Sequence, residues 1–309
     1  MHKDVKKTID EIKALKIQGA RNVASAAVKA FAIEALNSKA KRLNSFYLEL
    51  KKTGEALKNS RPTEPMMRNL LDKIEQRMDE QKKKRETLPK IRKDIAEQCK
   101  AIVKKMETDS NKLANYGAKL IPNDALVLTY CHSSSVTKIL IKAKKMRKKF
   151  KVVCFETRPR YQGRKTAAEL ANAGIDVTLS VDGGMNMFMK KADIVIVGAD
   201  SITSRGDLIN KIGTSTLAHI AKMNDVSVYC AAELYKYSSM TMFGTREKIE
   251  ERDSKEVWEK PPKGVKIRNP AFEATAAKYI NGYITEAGII PSQSFFTMAT
   301  QKLGITIYE

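Results

Sequence analysis

The stretch ALVLTYCHSSS, residues 125–135, places a short apolar run directly before a thiol, an imidazole and three hydroxyls. Apolar runs that end in polar residues recur along the rest of the chain. The predicted strands lie near 125–130, 151–156, 176–181, 193–198, 226–231 and 282–286. Segments of helical composition separate them, for example 134–147, 164–173 and 212–223. Strands that alternate with helices predict a mostly parallel sheet, and ligands of such sheets bind beyond the carboxyl ends of the strands.

The first part of the chain has helical periodicity instead. Apolar residues recur at helical spacing from Val5 to about Ala118, and the two prolines of the segment SRPTEP, residues 60–65, forbid one continuous helix. A chain of 309 residues is also long for one core. We therefore predict an α/β protein with an N-terminal helical domain at 1–121. A Rossmann-like domain at 122–309 follows, with a mostly parallel sheet flanked by helices.

The chain is strongly basic. It has 57 lysines and arginines against 35 acidic residues, a formal net charge of +22. Such an excess suits nucleic acid, an acidic membrane surface or phosphate-bearing substrates. The competing interpretation is that solvated faces of the helical stretches 81–105 and 138–151 account for most of it. Charge alone does not choose between these interpretations.

Several classes of protein are disfavoured by what the sequence lacks. No stretch approaches the roughly 18 to 20 apolar residues that span a bilayer, so we expect a soluble cytoplasmic protein without a membrane partner. The four cysteines have no metal-ligand spacing, and we expect neither a metal site nor a disulfide framework. Neither a G-x-G-x-x-G turn after the first strand nor a P-loop is present, so a nicotinamide cofactor is disfavoured and no cofactor is expected.

Two residues are candidates for acid–base chemistry. Cys131 follows the first strand and precedes serines that open a helix, whose N-terminus can bind phosphate and lower the pKa of a thiol. The alternative for Cys131 is a small buried residue. Asp200 follows the very apolar strand 193–198, where burial would raise the pKa of its carboxyl and make it a general acid. The alternative for Asp200 is a cap on the next turn.

Cations and amides are candidates for holding an anion. The run from Asn210 to Thr214 is predicted to begin the helix after Asp200, and it adds a charge and backbone donors. Lys236 and Arg158 could each clamp a phosphate, or be surface residues, which is the more frequent case. His132 is predicted to have a structural role, since neighbours on an extended strand point to opposite faces.

The order of short motifs resembles one known superfamily over nearly the whole chain. The motifs are Gln18-Gly19-Ala20, Arg61-Pro62-Thr63, Thr129-Tyr130-Cys131-His132-Ser133, Glu156-Thr157-Arg158-Pro159, Gly198-Ala199-Asp200-Ser201-Ile202, Asn210-Lys211-Ile212-Gly213-Thr214, Ala231-Ala232-Glu233 with Tyr235-Lys236, Asn269-Pro270-Ala271-Phe272 and Thr285-Glu286 with Gly288-Ile289-Ile290-Pro291. This superfamily joins archaeal ribose-1,5-bisphosphate isomerase, methylthioribose-1-phosphate isomerase and the alpha, beta and delta subunits of translation initiation factor 2B.

The resemblance implies that Cys131 and Asp200 match the catalytic pair of the isomerases, which the regulatory subunits commonly lack. The Tyr-Lys and Arg-Pro-Thr motifs are more similar to the ribose-1,5-bisphosphate branch. By the same resemblance, the substrate phosphates are held by Gln18, Gly19, Ala20, Arg21, Arg61, Ser133, Ser134, Ser135, Asn210, Lys211 and Lys236. The leading hypothesis is therefore conversion of ribose 1,5-bisphosphate to ribulose 1,5-bisphosphate.

Two alternatives stay open. The isomerases usually have an arginine where this chain has Gln18, and the stretch 182–187 also departs from their pattern. A non-catalytic regulatory subunit, which would contact a translation factor or nucleic acid, fits these departures; methylthioribose-1-phosphate isomerase is the other alternative. The resemblance further implies a homodimer or a hexamer of dimers, with AMP as an effector in the bisphosphate branch.

Overall fold

The computed structural model describes residues 1–82 and 86–305. The described chain divides into two compact units, one formed by Met1–Thr108 with residues 302–305, the other by Asp109–Gln301. Asp109 lies inside a helix that ends at Leu120, whereas the predicted boundary follows residue 121; the domain boundary stays a prediction. In the described residues no helix is both long and apolar enough to cross a membrane.

Helices build the first unit. They are α1 (Lys3–Lys13), α2 (Ala20–Asn37), α3 (Leu43–Lys58), α4 (Pro65–Lys82) and the first part of α5 (Leu88–Leu120). Helix α2 is the centre of this unit, because it packs against α1, α3 and α4. Its side chains Val28 and Phe31 are fully buried. Pro65 begins α4, where an N–H would have no partner within the helix, and the predicted interruption at 60–65 separates α3 from α4.

A seven-stranded sheet forms the core of the second unit. In chain order its strands are β1 (Ala125–Tyr130), β2 (Phe150–Phe155), β3 (Asp176–Ser180), β4 (Ile194–Gly198), β7 (Ser227–Ala231), β9 (Gly282–Thr285) and β10 (Gly288–Ile290). Helices α6 (Ser134–Lys145), α7 (Gln162–Asn172), α8 (Met185–Met189), α9 (Thr214–Met223) and α10 (Phe295–Leu303) connect or follow the strands. All strand pairs are parallel except β9 with β10. The predicted Rossmann-like α/β fold is confirmed.

The strand order creates a crevice between β1 and β4. The order is β10-β9-β7-β4-β1-β2-β3, so the chain moves outward from β1 to β3 and then returns to the other side of β1. Val127 pairs with Ile194 and Leu128 with Val195, which brings the carboxyl ends of β1 and β4 side by side. Such a reversal of strand order is where open α/β sheets bind ligands.

A small antiparallel sheet, which the sequence did not indicate, follows β4. It consists of β5 (Ser201–Ile202), β6 (Leu208–Lys211) and β8 (Phe272–Thr275). The prediction that Asn210 and Lys211 begin a helix is wrong: they end β6, where Lys211 pairs with Phe272. Helix α9 starts only after Gly213, whose φ of 101° suits glycine. A side chain at Gly213 would also overlap the hydroxyl of Tyr130.

The segment 241–270 is irregular, as predicted from its polar composition. Its regular structure consists of short 3₁₀ turns at Ser239–Phe243 and Ser254–Glu256. An isolated bridge pairs Glu251 with Pro270, next to the start of β8. This pairing fixes part of the segment beside the small sheet.

Candidate active site

Cys131 sits at the carboxyl end of β1 in a left-handed conformation, with a φ of 63°. Its backbone N–H donates a hydrogen bond to Thr157 Oγ1 over 3.0 Å, and its carbonyl accepts one from Thr166 Oγ1 over 2.9 Å. A positive φ is uncommon outside glycine, and these two bonds hold the residue in it. The half-buried thiol is therefore presented by a fixed turn at the edge of the sheet.

Asp182 supports the neighbouring turn. Thr157 also has a positive φ, of 62°. The Asp182 carboxylate accepts hydrogen bonds from the N–H of Thr157 over 2.8 Å and from that of Arg158 over 2.7 Å. From the sequence, residues 182–187 are only a departure from the family pattern. The supporting role of Asp182 has no local signal, because its partner Thr157 lies 25 residues away.

His132 contacts residues of helix α7. Its Nδ1 lies 3.1 Å from Thr166 Oγ1, and its Nε2 lies 3.8 Å from a Glu169 oxygen. Burial is the main cause that lowers the pKa of His132. The imidazole thus links the end of β1 to helix α7, in agreement with the structural role that the sequence predicts.

Asp200 lies between β4 and β5, where the chain leaves the large sheet and enters the small one. Its N–H donates to the carbonyl of Ile209 over 3.0 Å. Because Ser201 pairs with Ile209, Asp200 lies across from the end of β6, which carries Asn210 and Lys211. The strand pairing therefore brings the carboxyl and the lysine to the same end of one hairpin.

The thiol, the carboxyl and Lys211 share one electrostatic environment. Burial raises the pKa of Cys131 to about 11; the charge of Lys211 opposes this rise, and the charge of Asp200 adds to it. Burial lowers the pKa of Lys211, which the charges of Cys131 and Asp200 oppose. The Lys211 ammonium also lies 4.9 Å from the centre of the Phe272 ring. The two residues predicted as the catalytic pair are thus within electrostatic reach of each other.

Lys236 is buried and bonds to the residue that precedes Asp200. Its Nζ donates to the carbonyl of Ala199 over 2.8 Å and lies 3.5 Å from Glu233 Oε2. The other Glu233 oxygen accepts a hydrogen bond from Ser135 Oγ over 3.4 Å. Glu233 follows β7 and is itself buried. This network ties the start of helix α6 to the end of β7.

The remaining candidates of this unit lie at or next to helix N-termini. Ser133 caps α6, with its Oγ accepting from the N–H of Val136 over 3.4 Å, and Ser134 is exposed in the first turn. Asn210 Nδ2 donates to Thr214 Oγ1 over 3.0 Å at the start of α9. These hydroxyl and amide groups lie at helix N-termini, which favour bound phosphate.

The N-terminal candidates belong to the first compact unit. Gly19 precedes helix α2 with a φ of 84°, and Ala20 is the first residue of that helix. Gln18 Nε2 donates to the carbonyl of Leu15 over 2.6 Å. Arg21 forms an ion pair with Glu107, and Arg61 lies 3.3 Å from Glu64. Their role toward a substrate stays a prediction.

Sequence reasoning missed two charged residues of this region. Burial raises the pKa of Cys131, and the charges of Lys211 and Arg252 both oppose this rise; the effect of Lys211 is the larger of the two. Glu273 Oε1 accepts hydrogen bonds from the N–H of Gly213 over 2.7 Å and of Ser215 over 2.8 Å. Neither residue has a sequence signal, because Arg252 lies in an irregular segment and Glu273 in a four-residue strand.

The described residues include no group of three or more His, Cys, Asp or Glu side chains that could hold a metal ion. The groups that converge at the carboxyl ends of the strands are instead a thiol, a carboxyl, buried cations and hydroxyls. Cations, hydroxyls and helix N-termini are the usual ligands of a phosphate group.

Comparison with known proteins agrees with this arrangement. Ribose 1,5-bisphosphate isomerase of Methanocaldococcus jannaschii is 38% identical over 97% of this chain and 96% of its own. The structure of Pyrococcus horikoshii translation initiation factor eIF-2B superposes with a TM-score of 0.79 at 31% identity, covering 94% of this chain and 98% of that one. The structure of 5-methylthioribose 1-phosphate isomerase from the same organism has a TM-score of 0.78 at 30% identity, covering 97% and 87%. The profile of the initiation factor 2 subunit family matches residues 16–292, and the chain belongs to that family.

Proposed function

We propose that this protein is an aldose–ketose isomerase that converts ribose 1,5-bisphosphate to ribulose 1,5-bisphosphate. The observation that carries the proposal is the placement of Cys131 and Asp200 at adjacent strand ends, within electrostatic reach of each other and of the buried Lys211. The near full-length similarity to a relative that bears this enzyme's name supports the choice of substrate.

The reaction needs two proton transfers in each half. Asp200 donates a proton to the ring oxygen as its bond to C1 breaks, and the Cys131 thiolate removes the proton from C2. An enol phosphate with a double bond between C1 and C2 results. The Cys131 thiol then returns its proton to C1, and the Asp200 carboxylate takes the proton of the C2 hydroxyl, which leaves the ketone and restores both groups. Each positioned acid or base contributes roughly a hundredfold to ten-thousandfold.

The buried cations have two tasks in this scheme: they favour the thiolate of Cys131, and they bind the phosphates of the substrate. Burial raises the pKa of Cys131, and Lys211 is the largest influence that lowers it, so Lys211 favours the thiolate with which the reaction begins. The substrate's phosphates would be bound by Lys211, Lys236, Asn210 and the serines at the start of α6. By the family resemblance, Gln18 to Arg21 and Arg61 would also bind phosphate.

Substitution of the two reacting groups tests the proposal. We expect Cys131→Ser and Asp200→Asn each to lower turnover of ribose 1,5-bisphosphate at least about a hundredfold while leaving the thermal unfolding transition in place. Cys154→Ala is the matched control, because Cys154 is buried in β2 and should tolerate the change with activity retained. Near-normal turnover by either of the first two variants would refute the assignment.

A paired-substrate assay separates the alternatives. Similar structures bear the names of methylthioribose-1-phosphate isomerase and of a translation initiation factor, and Gln18 stands where isomerases usually have arginine. Purified protein would be incubated with each sugar phosphate, with and without AMP. Product from ribose 1,5-bisphosphate supports the proposal, product from the methylthio sugar supports the second enzyme, and no product from either supports a regulatory subunit.

Assembly, regulation and location complete the proposal. The family resemblance suggests a homodimer or a hexamer of dimers and activation by AMP. The four cysteines are unpaired, which fits a reducing compartment such as the cytoplasm. Light scattering of the purified protein and activity titrated with AMP would test the first two points.

A further inference from the structure

Arg252 is fixed next to the small sheet by its backbone. Its N–H donates to the carbonyl of Asn269 over 2.9 Å, and the N–H of Ala271 donates to the carbonyl of Glu250 over 2.8 Å. The side chain of Arg252 is only 7% exposed. A buried guanidinium held by a paired backbone is an ordered feature of the fold, although it lies in an otherwise irregular segment.

The guanidinium has an unused donor group. Its Nε donates to Glu250 Oε1 over 3.0 Å. Its terminal nitrogen Nη1 is buried and has no hydrogen-bond partner in the described part of the chain. An unpartnered buried donor is costly, more so when it is charged, and in native proteins it often marks a place where a bound group supplies the acceptor.

The segment that carries Arg252 borders the strand that carries Lys211: Ala271 donates its N–H to the carbonyl of Glu250 and accepts one from Ile212 over 3.2 Å, and Lys211 pairs with Phe272. Burial is the main cause that lowers the pKa of Lys211, and the positive charge of Arg252 lowers it further. The same charge favours the thiolate of Cys131. The positive charges of Arg252 and Lys211 repel each other, and a dianionic phosphate bound to both would offset that repulsion.

We propose that Arg252 is a phosphate ligand of the substrate, and that it works with Lys211 to hold a phosphate beside the reacting thiol. The proposal extends the isomerase function inferred above and rests on it. Arginine suits this task because its planar fork can donate two parallel hydrogen bonds to one phosphate. Glu250 orients the fork through Nε and leaves Nη1 to face the ligand.

The test compares Arg252→Met and Arg252→Lys with Arg268→Met in the full-length protein. Arg268 is the matched control: it pairs with Glu251 in the same segment, but its side chain is 81% exposed. Two quantities are measured: KM and kcat for ribose 1,5-bisphosphate, and the concentration of inorganic phosphate that halves the rate of Cys131 alkylation by iodoacetamide.

We expect Arg252→Met to raise both KM and the half-protecting phosphate concentration by about tenfold to a hundredfold, the usual effect of losing a hydrogen bond to a charged group. Arg252→Lys keeps the charge and should fall between Met and wild type. If Arg252→Met does not fold, the comparison of Arg252→Lys with Arg268→Met is decisive by itself. Phosphate protection is weaker in Arg252→Lys if the proposal is right, and it equals that of the control if the proposal is wrong.

The two readouts separate this proposal from the isomerase function. If phosphate protection depends on Arg252 but the protein does not turn over ribose 1,5-bisphosphate, the phosphate site is supported and the proposed substrate is refuted. If the wild-type protein turns over ribose 1,5-bisphosphate and Arg252→Met gives the same values as Arg268→Met in both measurements, the isomerase function is supported and the role of Arg252 is refuted.

Discussion

Gly198→Ala tests how tightly the two strand ends of the candidate active site are packed. A Cβ at residue 198 would lie 2.6 Å from both the Cβ and the Oγ of Ser133. Carbon atoms in contact lie about 3.5–4.0 Å apart, so Ser133 has to move by roughly 1 Å. Overpacking costs about 1–3 kcal/mol, and disturbing the Ser133 cap of helix α6 adds about 1 kcal/mol. We expect the free energy of unfolding to fall by about 2–4 kcal/mol.

Activity should fall as well, because Ser133 follows Cys131 by two residues and a displacement of about 1 Å can cost roughly a hundredfold in rate. Urea unfolding and turnover of ribose 1,5-bisphosphate measure the two effects. Gly183→Ala is the control, since no atom lies within 4 Å of a Cβ at that residue.

A second substitution distinguishes overlap from other causes. Adding Ser133→Gly to Gly198→Ala removes both atoms that overlap the new methyl group. The double variant should be more stable than the sum of the two single effects predicts, a non-additivity expected of residues in contact. Its activity should stay low, because the Ser133 hydroxyl is gone. A Gly198→Ala protein with unchanged unfolding and turnover would refute the packing described here.

Three further predictions concern the groups around the thiol. Asp182→Ala removes the acceptor of two backbone N–H groups at 2.8 and 2.7 Å, and urea unfolding should show a loss of about 1.5–3 kcal/mol. Because burial raises the pKa of Cys131 to about 11, its alkylation, followed by mass spectrometry, should accelerate about tenfold per pH unit between about pH 7 and pH 10. A rate of alkylation that stops rising below about pH 9 would contradict this prediction. The same raised pKa affects stability: the contribution of the thiol to folding stability is present below about pH 9 and is lost as the pH rises through about 11. Lys236→Met leaves the buried Glu233 carboxylate without its 3.5 Å cation, so we expect a loss of about 3–5 kcal/mol in urea unfolding at neutral pH; wild-type stability would show that the pair is dispensable.

The large sheet could be predicted from the sequence because its strands are continuous apolar runs. Strand β4, IVIVG, is buried at every position, and such a run between helical segments has few other interpretations. The small sheet could not be predicted, since β5 has two residues and β6 has four. Strands this short leave no periodic pattern of their own, and the longer of the two, β6, is completed by pairing with the distant strand β8.

The site shows the same division. Cys131 and Asp200 could be predicted because each directly follows a strong strand, so the sheet alone determines which edge they occupy. Arg252 reaches the same edge because its N–H bonds to the carbonyl of Asn269 and the nearby Glu250 accepts from Ala271, and Asp182 supports that edge from another turn. Their positions depend on partners far away in the chain, which composition and spacing do not record.

The proposed acid and base are carried by two different pieces of backbone. The thiol is attached to the wide sheet, whereas the carboxyl and its lysine neighbour share a short hairpin, β5–β6, at the side of that sheet. The gap that must accommodate a sugar is thus the distance between the end of the large sheet and the β5–β6 hairpin. Changes in the loop of that hairpin, residues 203–207, offer a way to retune the gap for other phosphorylated sugars while the central strands keep their sequence.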